Sequence, residues 1–102
     1  MKKELVIDGK TFDVEISADL VRQYRLEFGS EVFQDLQKAI KGDLGTIENL
    51  AYVMCKAADP DIKDVSTWLK GFDNPFAVVQ ASDKIFALWS ENLKTTSIPA
   101  KK

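Results

Sequence analysis

Cysteine and aspartate are the residue types in this chain that most readily suggest chemistry. Cys55 is the single cysteine, so no disulfide can form within the chain. The chain has no histidine, which removes the Ser-His-Asp and Cys-His nucleophile systems and the usual zinc ligand sets. Cys55 falls among apolar residues of a predicted helix, and an unpaired cysteine there behaves as a small hydrophobic residue. We therefore expect Cys55 to lie in the core.

Three aspartates, Asp59, Asp61 and Asp64, have the residue type of a calcium site. A calcium-binding loop that begins at Asp59 needs an acid or amide at position 63 and glycine at position 64. The chain has Lys63 and Asp64 there, and helix capping and loop solubility explain these carboxylates better. The sequence thus predicts no metal site, no cofactor and no catalytic residue, and we expect that the protein is not an enzyme.

The overall composition favours one small domain that binds other proteins. The chain has 102 residues, 45% of them hydrophobic, and a formal net charge of −2 with a pI of about 5.1. That charge argues against nucleic acid as the main partner, because phosphate binding needs a clustered positive surface. No run of 18 apolar residues or signal-peptide core is present, so we expect no membrane partner and a cytoplasmic location.

The N-terminal residues predict a β-hairpin over 4–16. Asp8-Gly9 is a favoured pair for a tight turn in which the backbone has positive φ. After the turn, Phe12, Val14 and Ile16 alternate with polar residues, which gives the strand one apolar face. A two-stranded hairpin is marginally stable alone, so we expect helices to cover it.

Helical patterns and capping residues predict four to five helices within 18–93. Ser17 and Ser30 are positioned to cap the first two helices, Thr46 begins the third and Asp64 caps a short fourth. The last helix is predicted from Pro75 to about residue 93, because proline is well tolerated at the first helical position.

Apolar stripes on these helices indicate how they pack. The second helix has a shared apolar face of Val32, Phe33, Leu36 and Ile40. The third is apolar over most of its circumference, which predicts a central position. The sequence therefore predicts an α+β fold that is mainly α. Its N-terminal hairpin packs on a helical bundle, with a single compact domain over 1–93 and a disordered tail over 94–102.

Some large apolar side chains lie outside these stripes or exceed what a small core needs. Leu26 falls on the polar side of the first helix, and Leu88 lies beside the stripe of the last, so we expect both to be exposed. Aromatic residues are enriched at binding hot spots. We expect most of the large side chains of the C-terminal half to be core and take a partner-binding surface as the alternative. Six residues are the candidates for that surface: Leu26, Tyr52, Trp68, Phe72, Leu88 and Trp89.

The order of elements and two motifs resemble a known family. The chain opens with Ile7-Asp8-Gly9-Lys10-Thr11-Phe12 and closes with Leu88-Trp89-Ser90-Glu91-Asn92-Leu93-Lys94-Thr95-Thr96-Ser97. Over nearly its full length it resembles the tail assembly chaperones of long-tailed, siphovirus-type phages and prophages of Gram-positive bacteria.

That resemblance implies a function that composition alone does not indicate. Chaperones of this family bind the long tape measure protein, keep it soluble, help to recruit tail tube subunits and are absent from the finished virion. We therefore expect the tape measure and tail tube proteins as partners, with homo-oligomerisation as a further possibility. Two alternatives are a small phage head–tail connector or completion protein and a prophage-encoded regulatory binding protein.

Overall fold

The N-terminal hairpin forms as the sequence predicts. A computed structural model describes the backbone of residues 2–96 and the side chains of residues 2–90. Strands β1 (Lys2–Ile7) and β2 (Lys10–Glu15) pair antiparallel, with Ile7 opposite Lys10. Asp8 and Gly9 have φ values of 53° and 78°, which is the pair of positive φ angles that a two-residue type I′ turn requires. The hairpin therefore covers residues 2–15, and Ile16, the last residue of the predicted range 4–16, lies just after its second strand.

The rest of the described chain consists of helices and the segments that connect them. The predicted α+β, mainly α, class is confirmed. Residues 2–96 contain six helices: α1 (Leu20–Phe28), α2 (Val32–Ile40), α3 (Leu44–Ala58), α4 (Val65–Leu69), α5 (Ala77–Gln80) and α6 (Ser82–Thr96). None of them is long and apolar enough to cross a membrane.

Several helix starts differ from the predicted ones. Helix α1 begins three residues after Ser17, whose carbonyl accepts from the Leu20 amide at 3.1 Å in a turn that precedes the helix. Helix α3 begins before Thr46, because the Asp43 side chain caps it: Oδ1 accepts from the Thr46 amide at 3.2 Å. Asparagine, aspartate and serine are the preferred caps, so Asp43 replaces Thr46 as the start signal.

The predicted last helix is two helices with a break at Ala81. Ala81 has φ −94° and ψ 10°, and its amide donates to the Val78 carbonyl at 3.0 Å. The three-residue spacing of this bond marks a tightened turn that ends α5. Helix α6 then continues to Thr96, beyond the predicted domain end at residue 93. The remainder of the predicted tail, residues 97–102, lies outside the described residues.

Helix α3 occupies the centre of the molecule, as its apolar circumference predicts. It contacts β2 and every other helix of the described part, and the side chains of residues 50–55 are all buried. Cys55 is fully buried there, so its predicted place in the core is confirmed. The hairpin contributes Leu5, Ile7, Val14 and Ile16 to the same core.

A buried polar network joins α1 to α2. The Tyr24 hydroxyl donates to Asp35 Oδ2 at 2.6 Å, and the Ser30 hydroxyl donates to the same oxygen at 2.7 Å. Asp35 is only 6% exposed, and burying a carboxylate is costly unless its oxygens accept hydrogen bonds. Ser30 is therefore a hydrogen-bond donor to Asp35. The N-cap position of α2, predicted for Ser30, is occupied by Glu31.

Candidate partner-binding site

The six predicted binding residues do not lie on one surface: some are exposed or partly buried and others lie in the core. Leu26 is 70% exposed, as expected, whereas Leu88 is 1% exposed and the predicted exposure of Leu88 is wrong. Leu88 lies three residues after Ile85 on α6, and residues three and four apart share a helix face. The buried face of α6 thus includes Ile85, Leu88 and Trp89 together.

Trp89 is a fully buried core residue. Its ring is T-shaped against Tyr24 at 6.3 Å between centroids, and its Nε1 donates to the Leu50 carbonyl at 3.2 Å. A buried tryptophan with a satisfied N–H stabilises the packing of three elements at once. Trp89 therefore holds α6 against α1 and α3.

Tyr52, Trp68 and Phe72 are brought together in one aromatic cluster. The ring centroids lie 5.7 Å apart for Tyr52 and Trp68 and 5.2 Å apart for Trp68 and Phe72, and Phe12 of β2 contacts both Trp68 and Phe72. The Tyr52 hydroxyl donates to the Lys63 carbonyl at 2.6 Å. Tyr52 is fully buried, while Trp68 and Phe72 are partly buried. The cluster joins α4, the segment after it and the hairpin to α3.

A mostly apolar depression lies on the described surface between α2 and α6. We call it the α2–α6 groove; its volume is about 430 Å³. Phe33 and Ile40 stand at its edge, 58% and 71% exposed, although both were predicted to share the core-facing stripe of α2. The groove is lined by Phe33, Leu36, Gln37, Ile40, Phe86, Trp89 and Ser90.

The rotation of α2 explains why Phe33 and Ile40 point away from the core. The residues of α2 that are buried are Val32, Asp35, Leu36 and Ala39. At about 100° per residue, this face is centred roughly 110° away from Phe33 and roughly 90° away from Ile40. Because Asp35 must face Tyr24 and Ser30 to satisfy its carboxylate, α2 presents Phe33 and Ile40 beside α6. An aspartate in the middle of the apolar pattern is the sequence signal for this rotation.

Leu26, the exposed residue among the predicted six, lines a second groove between α1 and α3. We call this the α1–α3 groove; it has a volume of about 360 Å³ and is also lined by Val53, Ala57 and Pro60. Lys56 and Glu27 line it as well and approach each other at 3.8 Å. This groove is therefore more polar than the α2–α6 groove, whose lining has no charged residue and three aromatic side chains where the α1–α3 groove has none.

The described residues hold no arrangement that suggests nucleophilic or metal chemistry. Burial raises the pKa of the Cys55 thiol to about 12, which keeps the thiol protonated and unreactive at neutral pH. Among residues 2–90 no group of three potential metal-ligating side chains comes together. Asp59, Asp61 and Asp64 act locally: Asp59 Oδ1 accepts from the Asp61 amide, and Asp64 Oδ1 accepts from the Thr67 hydroxyl.

Comparison of the chain with known protein families, with curated proteins and with solved structures finds no match in any of the three. A proposal for the function must therefore be argued from the residues that line the two grooves.

Proposed function

We propose that this protein is a phage tail assembly chaperone that covers apolar helical segments of the tape measure protein with its α2–α6 groove. The observation that carries the proposal is the exposure of Phe33 and Ile40 along that groove. Both are large apolar side chains, and each is more than half exposed. The resemblance of the chain to tail assembly chaperones supports the same function.

The shape of the groove suits an amphipathic helix. Two helices form its walls, and apolar side chains one turn or two turns apart on α2 line one side. A helix lying in such a groove inserts its own apolar residues at positions i, i+3 or i+4 and i+7. Covering exposed apolar area contributes about 25 cal/mol per Å², less the cost of association.

A chaperone needs a client surface that is apolar before assembly and buried afterwards. A tape measure protein is expected to be long and helical, so its apolar stripes need temporary cover until tail tube subunits replace the chaperone. We propose that the protein acts in the host cytoplasm, hands the client to the tail tube protein and is absent from the finished virion. Several copies on one client are consistent with the small size of each groove.

Co-expression with the tape measure protein of the same phage or prophage tests this function. The protein carries an affinity tag, and the soluble fraction is captured and analysed by size exclusion. We expect the tape measure protein to be soluble and to co-elute only when this protein is present. A tape measure protein that stays insoluble, with this protein eluting alone, would contradict the proposal. Detection of this protein in purified particles would favour a connector instead.

A further inference from the structure

A small pocket on a different part of the molecule contains a carboxylate that has no partner among the side chains of residues 2–90. The pocket lies between α3, α4 and α5, has a volume of about 170 Å³ and includes Glu48 of α3 in its lining. Glu48 is partly buried and makes no ion pair or hydrogen bond with the residues that the structure describes. Burial raises the pKa of the Glu48 carboxyl, because the charged form loses water without gaining a counter-ion.

Apolar side chains form part of the walls around this carboxylate, although more of the exposed lining is polar than apolar. Leu69, Phe72, Pro75 and Val78 line the pocket, and Asn74 is its remaining polar side chain. The Asn74 amide is already engaged, since Nδ2 donates to Gln80 Oε1 and Oδ1 accepts from the Phe76 amide. The pocket therefore offers one negative charge beside the apolar side chains of Leu69, Phe72 and Val78.

Lys10 contacts the wall of this pocket through Phe72. Lys10 Nζ lies 5.5 Å from the centroid of the Phe72 ring and donates to the Gly71 carbonyl at 2.8 Å. An ammonium group is attracted to an aromatic ring at this distance. Phe72 is thus a ring that already attracts one ammonium group, while no ammonium group of residues 2–90 pairs with the Glu48 carboxylate.

The volume of the pocket limits what can enter. Cavities of about 150 Å³ bind benzene, which has six heavy atoms, whereas pockets for drug-sized ligands begin at roughly 300 Å³. A group of five or six heavy atoms with one positive charge therefore matches the pocket in size. The butylammonium portion of a lysine side chain has five.

We propose that this pocket binds an alkylammonium group, namely the lysine side chain of a partner protein, with Glu48 as its counter-ion. Leu69, Phe72 and Val78 would contact the alkyl chain of the lysine. Lysine side chains commonly lay this apolar chain along apolar surface while the ammonium group meets a polar partner. The site is distinct from the α2–α6 groove and does not depend on the function proposed for that groove. Either proposal can fail while the other stands.

Titration of the full chain with n-butylammonium chloride, followed by amide chemical shifts in NMR spectra, tests the site. We expect saturable shifts around Glu48, Phe72 and Val78 with a Kd in the roughly millimolar range. Glu48→Gln keeps the size of the side chain and removes its charge, so butylammonium binding should weaken at least about tenfold. Neutral n-butanol should bind wild type at least about tenfold more weakly than butylammonium.

Matched controls separate this site from general attraction of cations. Glu4→Gln removes an exposed charge of the hairpin and should leave butylammonium binding unchanged. Shifts that do not saturate, or that persist in Glu48→Gln, would overturn the proposal. A second titration with Nα-acetyl-lysine N-methylamide distinguishes the source of the group. Saturable binding supports a lysine of a protein, and binding of butylammonium alone would overturn that assignment in favour of a free amine.

Discussion

Replacing Tyr24 by phenylalanine tests whether the buried Asp35 network fixes the position of α2. The variant keeps the ring against Trp89 and Phe28 and removes one hydroxyl. That hydroxyl donates to Asp35 Oδ2 at 2.6 Å, a short bond to a carboxylate. Bonds of this kind contribute about 1.5–3 kcal/mol, roughly twice as much as neutral ones. Burial and the bond to Asp35 both raise the pKa of Tyr24, so the hydroxyl stays protonated as a donor.

We therefore expect Tyr24→Phe to lower the free energy of unfolding by about 1.5–3 kcal/mol. For a domain of this size, each kcal/mol corresponds to roughly 5 °C in Tm, so Tm should fall by about 7–15 °C. Urea denaturation followed by circular dichroism gives both the free energy and the slope. Ser30→Ala is the matched control, because Ser30 donates to the same oxygen at 2.7 Å but is only partly buried. Water can replace its bond, and the expected loss is about 0.5–1.5 kcal/mol.

A cost of less than about 0.5 kcal/mol for Tyr24→Phe, with an unchanged urea slope, would refute this reasoning. It would mean that Asp35 satisfies its carboxylate without Tyr24 and that another contact sets the rotation of α2. The exposure of Phe33 and Ile40 would then need a different explanation.

Three further predictions concern the core and the pocket. Trp89→Ala should lower the free energy of unfolding by about 3–5 kcal/mol in urea denaturation, whereas unchanged stability with lost client binding would place Trp89 at an interface. Cys55 should react with iodoacetamide at pH 8 only in denaturant, as measured by mass spectrometry, because burial raises its pKa to about 12; rapid labelling of the native protein would contradict its burial. Because the folded-state pKa of Glu48 is raised, its ionised form destabilises the fold above both pKa values and this cost disappears as pH falls. Glu48→Gln should therefore have the higher Tm at pH 7, and this difference should narrow as pH falls through the raised folded-state pKa and be gone below about pH 4; a difference that grows towards acid pH would be the opposite result.

The parts of the fold that the sequence predicts are those set by local chemistry. The Asp8-Gly9 turn follows from the need for positive φ at two successive positions. The central place of α3 follows from apolar residues around its circumference. Neither depends on which distant segment packs where.

The parts that the sequence misses depend on contacts between distant residues. Val78 and Ile85 are seven residues apart and both buried, so one continuous helix and two helices broken at Ala81 give the same apolar pattern. Tyr52 is buried because α4 and the Lys63 carbonyl fold over it, and no spacing within α3 indicates that cover.

At the candidate site, the sequence predicts the exposure of one residue correctly and misses the exposure of two others. Leu26 is exposed as its place on the polar side of α1 predicts. Phe33 and Ile40 match the apolar period of α2, yet Asp35 turns them outward, because the cost of an unsatisfied carboxylate exceeds the gain from burying one more apolar side chain. The position of Asp35 therefore predicts the orientation of α2 better than the spacing of its apolar residues does.

The most direct test of the proposed function compares client binding by two surface variants. Phe33→Ser with Ile40→Ser removes the exposed apolar edge of the α2–α6 groove, and Leu26→Ser removes an equally exposed residue of the α1–α3 groove. Both variants should unfold within about 0.5 kcal/mol of wild type, since the changed residues are exposed.

The measurement is the affinity of each variant for a soluble helical fragment of the tape measure protein, by isothermal titration calorimetry. Covering the exposed parts of Phe33 and Ile40 is worth about 1–2 kcal/mol each, so the double variant should bind about 30- to 1000-fold more weakly. Leu26→Ser should bind as wild type does. Unchanged affinity of the double variant, with loss of binding in Leu26→Ser, would contradict the account and assign the client to the α1–α3 groove.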